Sequence, residues 1–414
     1  MRAGFGSLVR SMSAGGGLVV QPRMGFSDPV RMRAALLATK RARGGTVGTI
    51  TIDAYTRVGD LEAAREAVRA RAPLNGYPIV THPVEVTRGV LAGVRDSGFP
   101  VQVRHGSAAP QDIFRVMTRL SLDATEGGPV SYCLPYGRTP LEAAVRNWSE
   151  AVKLLAGMRS EGFEPHLETF GGCMLGQLCP PSLLVAISVL EALFFQQREV
   201  RSVSVSYAQQ THPGQDEEAV AALRRLCAEL LPTLDWHVVI YAYMGVYPAT
   251  EHGAYGLLGE AARLAVRTGA HRLIVKTVAE SRRIPEISEN VAALEYAAAV
   301  AARTRPESAT LAVDSQCYRE ARALVGAVLD LDPDVGVGLL RAFRQGYLDV
   351  PYCLHPDNQG RTRSYLDDEG RLCWAATGSL PIGHLVPGGL DRVATSTGLL
   401  RDLNYVRLRF DEAR

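Results

Sequence analysis

Lysine is almost missing from this chain. Of the 45 basic residues among its 414, only Lys40, Lys153 and Lys276 are lysines. Arginine is therefore the default cation, and a lysine inside an apolar run, as Lys276 is in HRLIVKT, must be paired or must serve a site. No apolar run reaches the roughly 18 residues that a membrane-spanning helix needs, so no membrane partner is expected. The formal net charge is +2, with basic and acidic residues interleaved along the chain, which excludes a nucleic-acid or membrane-surface role argued from charge. The seven cysteines are odd in number, and the nearest pair, Cys173 and Cys179 in CMLGQLC, fits neither a CxxC redox site nor a zinc ribbon. Reduced thiols in a cytoplasmic protein and no metal site are the expectation. No acidic residue precedes Asp28, yet the start has no apolar core of the secretory kind. Residues 1–17 are read as a flexible N-terminus. GxSxG, HExxH and the P-loop are all absent, and the glycines of GAYGLLGE precede a helical run instead of forming a phosphate loop.

What is present is an alternation of short β-rich runs with amphipathic stretches. Strand candidates are GLVVQP, TVGTITID, YPIVTHP, VQVRHG, GPVSYCLP, LETFGGCM, RSVSVSYAQ, WHVVIYAYM and HRLIVKT. Helical stretches such as LEAAREAVRARA and QDEEAVAALRRLCAELL lie between them. Strands alternating with helices predict parallel βα units, and their number favours an α/β fold of the (β/α)8 TIM-barrel type, with one candidate too many. From about Ser281 the texture changes to further helices and then to Gly, Pro, Asp and Tyr-rich turns. The expected division is a barrel over 18–300 and a helical and irregular C-terminal extension over 301–414.

Three strand-like runs end on arginines: Arg23, Arg57 and Arg104. One such arginine alone reads as a solvated cap. Planar, permanently charged forks repeated at successive strand ends suit a small molecule with more than one carboxylate. EGGPVSYCLPY adds Glu126, Tyr132 and Tyr136 on another strand-like segment, and together these groups make a cradle for an acidic α-amino acid.

The motifs QPRMG, TIDAYTR, LNGYP, VRHG, TEGG, SYCLPY, CPPS, MGVYP and IVKTVAE, in that order over about residues 17 to 385, resemble the large (epsilon) subunit of glutamate mutase, also called methylaspartate mutase. The resemblance implies a (β/α)8 barrel and an isomerase, an intramolecular transferase that interconverts L-glutamate and L-threo-3-methylaspartate. It implies the cofactor adenosylcobalamin, whose adenosyl radical takes a hydrogen from C4 of the substrate before the carbon skeleton rearranges. Carried over position by position, Arg23, Arg57 and Arg104 would grip the two substrate carboxylates. Glu126 would meet the amino group as the catalytic acid residue, with His105, Tyr132 and Tyr136 completing the substrate site. Gly25, Asn75, Pro135, Tyr247, Lys276, Glu280 and Ile284 fall on positions that contact the coenzyme, Lys276 and Glu280 beside its adenosyl part. Pro129 stands where the family continues its glycine run, and Tyr241 and Tyr243 replace other residue types.

The chain has no DxHxxG segment, the family's cobalamin-binding motif. The resemblance therefore implies a separate small cobalamin-binding subunit that carries it, with self-association of the large subunit into a heterotetramer. Two alternatives remain open from sequence. One is a related mutase acting on a glutamate analogue, and the other is a non-catalytic dicarboxylate-binding paralogue.

Overall fold

The computed structural model describes residues 4–135, 137–173, 178–306, 314–386 and 395–412. Nine strand segments form one parallel sheet: β1 (Val19–Gln21), β2 (Gly45–Thr46), β3 (Gly48–Thr51), β4 (Val101–Arg104), β5 (Ala124–Gly127), β6 (His166–Thr169), β7 (Ser202–Ala208), β8 (Asp235–Tyr241) and β9 (Arg272–Ile274). Their order is β2-β1-β9-β8-β7-β6-β5-β4-β3. Only Val47 separates β2 from β3, so the two are halves of one stave, the first pairing with β1 and the second with β4. The sheet thereby runs around a barrel of eight staves ringed by helices, as the alternation predicted.

Two of the nine strand candidates are corrected. YPIVTHP is a loop joined to the sheet by one bridge, Ile52 to Tyr77, because Pro78 and Pro83 remove the donors that a ladder needs. GPVSYCLP is a run of turns, and the stave is the preceding ATEG. Glu126 thus lies on a strand, whereas Tyr132 lies on the turns that follow it.

The expected flexible N-terminus is corrected as well. Phe5–Ser13 is a helix whose Phe5 and Val9, one turn apart, are fully buried against Val19, Val47 and Ala124 at the strand N-termini. The FxxxV spacing supplies the apolar stripe that ties the segment down. Gly6 lets the helix approach closely, since a Cβ there would lie 2.4 Å from the Ser202 hydroxyl.

The helix Pro181–Gln196 is apolar all round and almost wholly buried. Such a helix needs cover on both sides, and the extension supplies it. The helix Gln316–Leu329 lies across it, and Val335–Gln345 follows. An antiparallel hairpin, β10 (Arg363–Leu366) with β11 (Leu372–Ala376), and a last helix, Ser396–Glu412, complete the chain. Among the described residues no helix is long and apolar enough to cross a membrane. All seven cysteines are free thiols.

The lower barrel interior is polar. Gln21 donates to Thr49 (2.8 Å) and Gln102 (2.7 Å), while Arg272, fully buried, reaches Gln21, Glu168 and Ser204. These groups exchange hydrogen bonds across the interior between staves, which is how a barrel tolerates charge inside.

Candidate active site at the barrel mouth

The C-terminal strand ends carry the candidate residues on three consecutive staves: Arg23 after β1, Arg57 after β3 and Arg104 as the last residue of β4. Arg57 is not on its strand. It rides a short helix, Ala54–Val58, begun by Asp53, whose carboxylate accepts from the Thr56 backbone N–H (2.9 Å). That helix lays Arg57 over Gly106, where a Cβ would sit 3.3 Å from the Arg57 Cδ and Nε. Gly106 also has φ +78°, so the glycine of VRHG is required twice over.

Arg104 and Glu126 form a buried ion pair, Nε to Oε2 at 2.8 Å, with both residues under 5% exposed. Tyr132 donates to Glu126 Oε1, and Tyr241 donates to its Oε2 at 2.7 Å. The Arg104 guanidinium lies 5.0 Å over the Tyr241 ring. Burial works against the Arg104 charge, and Glu126, Tyr241, Tyr132 and Glu168 more than offset it, raising its pKa well above the usual arginine value. His105 stacks on Trp148 at 5.6 Å and accepts at Nδ1 from the Ser107 N–H. Burial, aided by the Arg57 charge, lowers its pKa to about 3, so the imidazole is neutral. Three buried atoms here, Arg57 Nε, Arg104 Nη1 and His105 Nε2, have no hydrogen-bond partner among the described residues.

A second cluster forms at the β8 and β9 ends. Arg23 Nη1 sits 3.2 Å from Glu280 Oε2 and 3.8 Å from the Met244 sulfur. Lys276, beyond the end of β9 and 7% exposed, lies 3.9 Å from Glu280 and 4.6 Å from the Tyr247 ring centre. Burial lowers its pKa to about 8, with Glu280 resisting and Arg23 assisting. Glu280 stands on a 3-10 turn, Val278–Ser281, and accepts from the Thr277 N–H. Arg23 therefore keeps company with Lys276 and Glu280, while Arg57 stands with Arg104.

The remaining candidates lie on the same rim. Gly25 meets the Thr51 carbonyl, where a Cβ would approach to 2.1 Å, so packing alone demands that glycine. Asn75 is exposed, and its Oδ1 accepts from the Ala54 N–H (2.9 Å), helping to start the Arg57 helix. Pro135 is half-buried after β5, Ile284 is 51% exposed, and Tyr136 lies outside the described residues.

Sequence reading did not assign four buried groups. Glu168 on β6 accepts from the Tyr241 hydroxyl and pairs with Arg272, so one hydrogen-bonded line runs from Arg104 to the barrel interior. Glu191, on Pro181–Gln196, accepts from the backbone N–H groups of Ser131, Phe170 and Gly171 and pins the loop carrying Tyr132. Burial raises its pKa to about 7 despite those donors. A lone acid within LLVAISVLEALFF was the available signal for Glu191. Glu168, Tyr241 and Arg272 sit at alternating, inward positions of their strands, which only the closed barrel brings together.

The family model described as methylaspartate mutase E chain (MutE) matches residues 2–388. The chain is similar to the protein named glutamate mutase epsilon subunit from Halobacterium salinarum, at 32% identity with 94% of this chain and 84% of that one covered. Proteins of the same name from Desulfitobacterium hafniense (31% identity, 81% and 72% covered) and Yersinia enterocolitica (29%, 87% and 78%) are similar as well. A match across nearly the whole length, on a barrel whose mouth gathers the motif arginines, leads to one conclusion: the chain belongs to the methylaspartate mutase E chain family.

Proposed function

We propose that this chain is the catalytic subunit of an adenosylcobalamin-dependent mutase that interconverts L-glutamate and L-threo-3-methylaspartate. The observation that carries the reading is the buried Arg104–Glu126–Tyr132 cluster beside the unpaired Nε of Arg57 and Nη1 of Arg104. Unpaired guanidinium N–H groups in a buried mouth suit an anion, and planar forks suit carboxylates. L-glutamate supplies two carboxylates for the arginines and one ammonium for Glu126, so the charges in the occupied site balance. Gripping both ends of a flexible substrate fixes which C–H bond faces the coenzyme, and burial excludes water.

Bound adenosylcobalamin would supply the homolytic hydrogen-transfer chemistry. The donor set on the rim fits its adenosyl part: Lys276 and Glu280 offer a donor and an acceptor for ribose hydroxyls, and Tyr247 offers a ring face. The corrin would need the separate small subunit, since this chain carries no DxHxxG segment. The test is a mass-spectrometric assay for 3-methylaspartate from L-glutamate, with this chain, a cobalamin-binding small subunit and adenosylcobalamin, kept anaerobic and dim. Product that requires all three components is expected. No product, with the small subunit shown to bind cobalamin, would overturn the reading.

A further inference from the structure

Glu126 does not stand alone at the mouth. Its Oε2 takes the Arg104 Nε and the Tyr241 hydroxyl, and its Oε1 takes the Tyr132 hydroxyl. The Tyr241 hydroxyl also reaches Glu168 Oε1, deeper in the barrel. A phenol has one proton and can donate to one carboxylate at a time. Glu168 has other donors: its Oε2 takes Arg272, the Ser204 hydroxyl at 2.9 Å and the Gln102 amide at 3.3 Å. Among the described residues Glu126 has only Arg104 and the two phenols, and on the reading above Arg104 is shared with a substrate carboxylate through Nη1. The hydroxyl of Tyr241 is then the donor from the barrel wall that keeps the Glu126 carboxylate in place while an ammonium approaches. Tyr241 in turn cannot swing, because its ring is fully buried under the Arg104 guanidinium.

We propose that Tyr241 is the positioning residue for Glu126, its proton left to Glu126 because Glu168 draws on Arg272, Ser204 and Gln102, and that through it the polar barrel interior sets the preference of the mouth for an amino dicarboxylate over a plain dicarboxylate. This rests on the glutamate reading of the site and deepens it. Neither Tyr241 nor Glu168 needs to touch the substrate. The donors around Glu168 leave the phenol proton to Glu126, the phenol anchors Glu126, and Glu126 reads the ammonium. The arginines that read the carboxylates lie outside this line except for Arg104.

The two halves of the recognition can be separated by ligand. L-glutamate carries the ammonium, and glutarate presents the same carboxylates without it. Calorimetric titration of the full chain with each ligand gives the glutamate-to-glutarate affinity ratio for wild type, Tyr241→Phe and Glu168→Gln. Tyr241→Phe removes one hydroxyl and keeps the ring, and it should weaken glutamate by about tenfold while changing glutarate by less than about twofold, the size expected for a lost hydrogen bond to a charged group. Glu168→Gln, whose amide can donate to the phenol oxygen and leave the phenol proton with Glu126, should keep the ratio within about twofold while lowering the melting temperature, because Arg272 loses its counter-charge. Retained glutarate binding shows that a variant is folded and its arginine grip intact. Equal losses for both ligands, or an unchanged ratio in Tyr241→Phe, would overturn the positioning role. A wild-type chain that binds neither ligand would defeat the dicarboxylate reading itself, and this inference with it.

Discussion

At the base of the barrel the helix Phe5–Ser13 lies against the strand N-termini, and beneath it His166, His237 and His271 pack ring to ring, 5.1 and 5.7 Å apart. At the mouth, Arg57, Arg104 and His105 gather beside Glu126. Both ends hold buried polar atoms without hydrogen-bond partners among the described residues, namely both nitrogens of His237 and Nδ1 of His271 below, and Arg57 Nε and Arg104 Nη1 above. The difference lies in charge. Burial lowers the pKa of His166 and His237 well below the usual value and that of His271 to about 4, so these imidazoles are neutral at pH 7 and their unpaired atoms are a tolerable packing cost. The arginines cannot neutralise, so their unpaired donors call for an anion. Arg10 Nη1 and Arg272 Nε are unpaired below as well, but Asp235 and Glu168 already stand beside those guanidiniums, so a permanently charged group marks a binding site where, as at Arg57, no ion-pair partner stands among the described residues.

The sharpest way to break this contrast is to weaken the mouth without touching the base. Arg104→Lys keeps the charge and loses the fork. It should lower kcat/KM for glutamate by at least about a hundredfold, in line with a buried pair worth on the order of 3–5 kcal/mol, while the melting temperature changes little by comparison. Normal turnover by this variant would remove the carboxylate grip from the mouth. The converse experiment is Phe5→Ala. Emptying the fully buried Phe5 site should cost about 3–5 kcal/mol of stability in denaturant unfolding, with kcat of the folded fraction unchanged. A fall in kcat would mean that base and mouth are coupled through the polar interior.

The barrel and the mouth were legible to different depths in the sequence. Seven of the eight staves could be found because parallel strands buried on both faces read as apolar runs such as VSVSYA and WHVVIY. The stave ATEG was missed because it is short and half polar, its Glu126 facing a polar interior that no periodicity announces. The arginines stood out through repetition. The Glu168–Arg272 pair could not stand out, since its members are 104 residues apart and meet only across a closed barrel. The N-terminal helix was hidden by its glycines and serines, which look like loop composition and in fact permit close packing.

A smaller effect tests the mouth by pH. Lys276, buried and lowered to about 8, holds a charge in the fold that burial opposes. Between about pH 8 and the ordinary lysine value of 10.5 the unfolded chain binds a proton that the fold does not, so stability rises with pH across that window and the penalty is fully present below it. Lys276→Met should therefore stabilise the chain below pH 8 by up to about 3 kcal/mol, and the gain should shrink as pH climbs to 10.5. The base histidines work in a separate window. Their lowered values mean that stability is lost as pH falls below about 6.5, where the unfolded chain protonates first. Stability-versus-pH curves of the wild type and Lys276→Met should differ on the alkaline limb and coincide in shape on the acid one. A difference confined to the acid limb would mean that the lysine is not the group titrating at the mouth.

The smallest expected effect concerns how the mouth is braced from outside. Asp411, on the last helix, reaches across to the loop that follows β8, where its carboxylate accepts from the N–H groups of Ala249 (3.0 Å) and Thr250 (2.9 Å) and from the Thr250 hydroxyl (2.6 Å). Thr250 starts the helix Glu251–Arg267, and Val406 of the last helix is buried in one cluster with Tyr243 and Tyr247. The helix Ser396–Glu412 lies beyond the residues matched by the family model. Because Thr250 also caps its own helix through Gly253, removing Asp411 leaves one cap in place and takes away the second layer. Asp411→Ala should cost about 1 kcal/mol, the scale of a lost cap, and should speed amide hydrogen exchange at Ala249 and Thr250 ahead of the barrel strands. Unchanged exchange there would mean that Tyr247 is held from within the barrel by Lys276 and its own packing, and that the last helix rests on the mouth without bracing it.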